Sequence, residues 1–235
     1  MNNQLKATVA VRETLPTVFG YIGIGLAFGI VARAAGISPL LVTLTSLITY
    51  AGSAQFIMIG MFATGNSILA ITLSVFLVNA RMILMSMTVA PLVKHESLIK
   101  NVILGTLLTD ESFALAMNKS NLTNRQLNFA WFNTVNLISY ATWVCSSLIG
   151  ALVGGYIQNP EKYGLSFALI AMFIGLLYLQ IINDRSLPLL LQGSVVLLVF
   201  FLVFLGLIFI PSQLLIIVVT ILGCVLGVVI KNAFF

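Results

Sequence analysis

The sequence predicts an all-α protein, a polytopic bundle of transmembrane helices with about eight hydrophobic spans, or seven if the second is re-entrant. Three observations lead to this class. Of 235 residues, 60% are hydrophobic and 7% charged, and mean hydropathy is +1.13. A soluble domain carries about 25% charged residues, and so few charges could not cover a globule in water. The apolar residues fall in runs of about 20, the length at which a helix crosses a ~30 Å hydrocarbon core. The polar breaks between runs are short, so sequential helices are antiparallel neighbours and residues 1–235 form one domain in the lipid bilayer.

The first run, Pro16 to Ala35, follows a polar N-terminal stretch with Lys6 and Arg12. It reads as a first anchor rather than a signal peptide, because "GYIGIGLAFG" interrupts it and many more spans follow. The second, Leu40 to Phe62, contains "TYAGSAQF", where Gly52 and Ser53 weaken a helix at membrane depth. Small residues there either let helices pack closely or mark a broken helix near Gly52 whose amides point into a cavity. The third run, Ser67 to Leu92, carries Arg81 near its middle, and the fourth, Leu98 to Met117, carries Asp110 and Glu111. The fifth, Leu127 to Ile157, sets Asn133, Asn136 and Tyr140 at i, i+3 and i+7, one helix face. The last three, Gly164 to Ile182, Leu187 to Ile210 and Ser212 to Ile230, are defined by hydrophobicity.

Basic residues orient such bundles. If all eight runs cross, Lys6, Arg12, Lys119, Arg125, Arg185 and Lys231 lie on one side and Arg33, Lys94, Lys100 and Lys162 on the other. That tally leans toward a cytoplasmic N-terminus, and a re-entrant second run makes it five against five. "SPLLVTLTS" near Pro39 and "LPLLLQGS" near Pro188 are the best internal repeat, at a level that a leucine-rich chain reaches by chance.

The costly residues carry the chemistry. Asp110 stands ten residues after Lys100 and nine before Lys119, which in a continuous helix places it roughly 14 Å from either end. An ionised carboxylate there costs a few kcal/mol, so it faces the bundle interior, finds a partner or takes a proton. Arg81 is at similar depth in the antiparallel neighbour. A buried ion pair fixing helix register would account for Arg81 and one acid, and would leave the other acid over. One of Asp110 and Glu111 is therefore expected to pair with Arg81, and the other to be neutral for part of a cycle and couple movement to protons. Gln55, Asn79, Asn133 and Asn136 are further polar groups at depth, suited either to interhelical hydrogen bonds or to ligand contact.

Other functions are excluded more simply. The basic residues form no run, so nucleic acid is not a partner. The single histidine, His95, lies in the polar loop "KHES" without a metal-spaced partner, and neither a G-x-S-x-G motif nor a phosphate loop occurs. Cys145 and Cys224 read as small hydrophobes. No metal or cofactor and no enzyme activity are expected; an intramembrane aspartate enzyme needs acids converging from two helices, and these two are adjacent.

Five blocks in order, "GLAFGIVARAAGISPL", "YAGSAQF", "LVNARMILMS", "LLTDESFALA" and "GLSFALIAMFIGLL", resemble the AzlC family. The resemblance covers about residues 15 to 185 and implies the large subunit of a bacterial branched-chain amino acid exporter. It implies inner-membrane, proton-motive-force-driven export of leucine, isoleucine, valine and analogues, with a small hydrophobic AzlD-type membrane subunit as partner. Carried over by motif, Gln55, Asn79, Arg81, Asp110 and Glu111 align with the family's polar positions. The residue after the arginine is usually histidine in the family and is Met82 here, which shifts weight for proton coupling to the acids.

A zwitterionic amino acid needs a cation or helix N-terminus for its carboxylate, an acid for its ammonium and an apolar pocket for its side chain. Arg81 or the amides after Gly52 meet the first need, and Asp110 or Glu111 the second. Substrate displacing the Arg81 contact would let the pair serve both structure and binding. The alternatives are a non-transporting subunit that docks a partner helix, or a transporter of another small apolar amino acid. At 25.4 kDa the chain leaves room for a partner or a homo-oligomer.

Overall fold

The computed structural model describes residues 4–157, 162, 167–183, 187–210 and 212–234. Among them the chain forms helices and no strand, and it divides into two units, Met1–Ile174 and Gly175–Phe235.

Three spans frame the first unit. They are α1 (Ala7–Ala34), the pair α4 (Ile68–Asn79) and α5 (Arg81–Val89), and α8 (Phe129–Gly154). The pair continues through the 3-10 segment Ala90–Val93 and crosses as one 26-residue span. Helix α1 begins well before the expected start, and Pro16 lies inside it.

The directions of these spans follow from their contacts. Glu13 meets Trp131, Gly25 meets Ser146 and Gly154 meets Ile30, so α1 and α8 run parallel. Their backbones touch at Gly29 and Gly150. A Cβ on Gly29 would overlap the Ser147 carbonyl, and one on Gly150 would overlap that of Leu26. Close approach through small residues is how membrane helices associate where lipid offers no hydrophobic drive. The α4–α5 span runs the other way, since Val89, Leu92 and Val93 share a core with Ala10 and Trp131 near the N-terminal face.

The chain thus leaves α1 on the far face and enters α8 from the N-terminal face, with one crossing between. The two remaining runs must each return to the face they came from. The first comprises α2 (Pro39–Ile48) and α3 (Gly52–Ala63). Gln55 Nε2 donates to Ser46 Oγ across this hairpin at 3.0 Å, and Phe56 in α3 packs on Phe28 at 5.3 Å between ring centroids. The second comprises α6 (Leu98–Thr106) and α7 (Asp110–Leu122). Its ends are tied together on the N-terminal face, where the Phe129 amide donates to Glu96 Oε1 at 2.8 Å and the Leu127 amide to the Leu92 carbonyl at 3.0 Å.

The second run is therefore the broken, re-entrant form of the two that its sequence allowed. The fourth, expected to be a continuous helix, is also a hairpin. The reason lies in "TDES". Thr109 Oγ1 accepts from the Ser112 amide and Ser112 Oγ accepts from the Thr109 amide, a capping box that starts a new helix at Asp110. Both acids then sit in the first turn, where the helix dipole favours negative charge. Span plus hairpin occurs twice in opposite orientation, α1 with α2–α3 and α4–α5 with α6–α7. Such an inverted repeat is a frequent transporter device, and in it the Pro39 segment, as α2, is matched by α6 and not by the Pro188 segment.

A broken helix leaves carbonyls without their usual amides, which hydrocarbon does not tolerate. Two side chains of α8 answer this. Asn136 Nδ2 donates to the Leu104 carbonyl at the end of α6 (3.1 Å), and Tyr140 Oη donates to the Leu47 carbonyl at the end of α2 (2.8 Å).

Helix α9 (Ala168–Asn183) spans the boundary between the units; the expected start of its run at Gly164, and Arg185, lie outside the described residues. In the second unit α10 (Leu189–Phe209) packs on α11 (Ser212–Phe234), with Gly206 against Leu215 and Gly223 against Val199.

Candidate functional site

The tips of the two hairpins meet inside the first unit. Around them is a narrow cleft of about 20 Å³, room for a water-sized group, that opens at its mouth. Tyr50, Ala51, Gly52 and Ser53 come from the first tip, and Thr109, Asp110 and Glu111 from the second. Arg81 and Met82 enter from the middle of the α4–α5 span, Tyr21 from α1 and Trp143 from α8.

Arg81 reaches both tips. Its Nη2 donates to Asp110 Oδ2 at 2.7 Å and to Ser53 Oγ at 2.9 Å. The α4–α5 span tightens where Arg81 leaves it, with i to i+3 bonds from the amides of Ala80 and Ile83. Glu111, next to Asp110 in sequence, has other partners. Tyr21 Oη donates to Glu111 Oε2 at 2.6 Å and lies 2.9 Å from Thr109 Oγ1. The ion pairs among the described residues are Arg81–Asp110, Lys100–Glu96 and Lys119–Glu13, and Glu111 is in none of them. One acid thus meets the arginine and the other meets a tyrosine.

The first tip is shaped by its backbone. Tyr50 has φ 39°, a left-handed conformation that costs a bulky residue about 1–2 kcal/mol. Its ring stacks edge-on against Tyr140 at 4.8 Å. Helix α3 then starts without a side-chain cap, so its first-turn amides are available at the cleft wall. Gly52 is required by Trp143, whose Cη2 would lie 2.9 Å from any Cβ there.

Of the residues expected at the site, Gly52, Ser53, Arg81, Asp110 and Glu111 come together, while Gln55, Asn79, Asn133 and Asn136 are absent from the cleft lining. Gln55 is fully buried and braces the first hairpin, accepting from Trp143 Nε1 at 2.9 Å and donating to Ser46, which Ser147 also contacts. Asn136 caps α6. Asn79 and Asn133 each hold a buried Oδ1 without a hydrogen bond among the described residues. Sequence reasoning missed Tyr21, Tyr50 and Trp143, although Tyr21 and Tyr50 each stand within two residues of a glycine in the quoted motifs "GYIGIG" and "TYAGS".

It also misread Lys119 as a flanking charge. Lys119 is 5% exposed and bonds Glu13 Oε1 at 2.7 Å, while Trp131 Nε1 donates to Glu13 Oε2 at 2.8 Å. Tyr21–Glu111 and Glu13–Lys119 thus pin α1 to α7 at equal eight-residue spacings on both helices.

The chain is a multi-pass membrane protein, and opposed re-entrant hairpins with ionisable groups at their meeting point are an arrangement that many membrane transporters share. The comparisons with known proteins narrow this. The model of the AzlC protein family matches residues 16–157. The inner membrane protein YgaZ of Escherichia coli K12 is 32% identical over 180 residues, 75% of this chain and 74% of that one. The branched-chain amino acid transport protein AzlC of Bacillus subtilis 168 is 29% identical over 199 residues, 79% and 74% of the two chains. An uncharacterized membrane protein of Archaeoglobus fulgidus is 32% identical over 170 residues, 70% and 71%. No solved structure matches. The chain belongs to the AzlC family. The matched span holds α1 through α8 almost entire, and with them both hairpins and the cleft.

Proposed function

We propose that the chain exports branched-chain amino acids, leucine, isoleucine, valine and their analogues, across the bacterial inner membrane in exchange for protons, together with a small AzlD-type membrane subunit. The observation that carries this reading is the cleft where two hairpins from opposite faces meet an Arg81–Asp110 pair and a separate glutamate. The named function of the Bacillus subtilis relative supports the substrate class.

The cleft offers each part of a zwitterion a place. Arg81 and the uncapped first turn of α3 attract the carboxylate. Met82 and Trp143 supply apolar wall for an aliphatic side chain. The acids line this cleft instead of an outward helix face, which favours transport over docking of a partner helix. Hairpins from opposite faces can each act as the gate of their own side, while the ion pair stays near the fixed centre.

Direction of transport needs an orientation, and the hairpins alter the charge tally. With α6–α7 returning to the face it left, Lys6, Arg12, Lys94, Lys100 and Arg125 all belong to the N-terminal face. Arg33, and Lys162 beyond the end of α8, follow the other. By the positive-inside rule the N-terminus is cytoplasmic. The test is amino acid efflux from cells loaded with branched-chain dipeptides, with and without this chain, its small partner and a proton uncoupler. Efflux that depends on all three is expected; unchanged efflux on deleting this chain removes the proposal.

A further inference from the structure

We infer that Glu111, with the rings of Tyr21, Tyr50 and Trp143, is the site of the substrate's ammonium group, and that a proton and the ammonium exclude each other there. The inference rests on the transport reading above and gives it a mechanism of exchange.

The cleft is polarised. Its cation, Arg81, bonds Asp110 and Ser53 on one side. Glu111 lies among aromatic side chains: Tyr21 donates to it at 2.6 Å, and Tyr21 and Trp143 stack edge-to-face at 5.3 Å. Acid plus aromatic faces is the chemistry that holds an ammonium ion. A further group stands ready. Tyr50 lines the same cleft, is 8% exposed, and turns its buried hydroxyl toward Tyr21, Thr109 and Glu111. A hydroxyl oxygen in that position can accept from a ligand donor that also meets Glu111.

The groups facing Glu111 limit what can neutralise it. They are Tyr21 from α1, Tyr50 from the first tip, Arg81 from the α4–α5 span and Asp110 from its own helix; α8 brings Trp143, and Tyr140 behind Tyr50. Arg81 already has Asp110 as its counter-ion. A carboxylate so placed is compensated either by a proton or by an ammonium ion, and one carboxylate accommodates one of them at a time. Binding is then an exchange in which the substrate ammonium takes the carboxylate and one proton leaves. Over a cycle a net-neutral zwitterion moves one way and one proton the other, so each turnover moves one positive charge inward. A membrane potential of 100 mV then supports a roughly fiftyfold substrate gradient.

Isothermal titration of L-leucine into the full chain with its co-purifying partner, in buffers of different ionisation enthalpy, counts the protons released. We expect release to approach one proton as pH falls, with affinity weakening toward tenfold per pH unit. Glu111→Gln removes both effects, and Tyr50→Phe weakens binding roughly tenfold or more, the effect of losing a hydrogen bond to a charged group. The wild-type pH series decides the matter even if a variant does not fold. Leucine binding of constant affinity without proton release overturns this inference and leaves the transport reading standing. No binding of leucine, isoleucine or valine overturns both.

Discussion

Replacing Arg81 by Gln removes the cation that joins the two hairpin tips. The contact is a single charge-assisted hydrogen bond of 2.7 Å, with a second of 2.9 Å to Ser53. Removing one partner of a fully buried pair costs about 3–5 kcal/mol, because the other charge is left uncompensated. Here Asp110 is 18% exposed and Arg81 32%, so cleft water screens part of that cost. The expected destabilisation is about 2–3 kcal/mol, a fall in thermal midpoint of about 5–10 °C for a chain of this size. Adding Asp110→Asn removes the stranded charge and should bring the protein back to within about 1 kcal/mol of wild type. Trp143 lines the cleft, so tryptophan fluorescence on detergent-purified protein follows the transition. Export should stay lost in the double variant, since a neutral pair no longer attracts the substrate carboxylate. A charge-reversed pair, Arg81→Asp with Asp110→Arg, should likewise regain stability without export. An Arg81→Gln protein as stable as wild type, or no recovery on adding Asp110→Asn, would refute this role of the pair.

Three further outcomes follow from the packing. Gly29→Ala should cost about 3 kcal/mol and lower the yield of folded protein, because α1 and α8 must separate to admit the methyl group against the Ser147 carbonyl. Asn136→Leu strands the Leu104 carbonyl at the end of α6 and should cost about 1–2 kcal/mol in thermal stability, with faster proteolysis near 107–109 as the readout. Glu96, in the loop outside the spans, is held below the usual glutamate range by the Lys100 hydrogen bond first and by the Phe129 amide second. A depressed carboxylate contributes stability above its unfolded pKa and loses it as pH falls through the lower folded value. The wild-type advantage over Glu96→Gln in thermal midpoint should therefore be full near neutral pH and shrink below about pH 4.5.

Much of this architecture was legible in sequence, because bilayer thickness converts hydrophobic run length directly into helices. The ion pair was legible too, since one arginine and two acids in apolar runs leave few ways to balance charge. The hairpins were not. Run length cannot tell a helix that crosses from two half-helices that turn back, as both fill about 20 apolar residues. The signal was present in "TDES", whose threonine and serine read as a capping box and whose acids suit a first turn. That reading also explains why two acids are tolerated there. The α8 polar face at Asn136 and Tyr140 looked equally suited to a ligand or to interhelical bonding, and only the broken helices show which carbonyls needed those donors. The Lys119–Glu13 contact joins residues 106 apart, a pairing that local pattern cannot reveal.

Movement of a branched-chain amino acid through this cleft against a proton gradient can be measured directly. Everted membrane vesicles from cells making the chain, energised to acidify their interior, provide the measurement. Labelled leucine should accumulate inside, collapse on addition of an uncoupler, and fail to accumulate when Glu111 is replaced by Gln. Equal accumulation in the Glu111→Gln vesicles, or accumulation indifferent to the uncoupler, would contradict it.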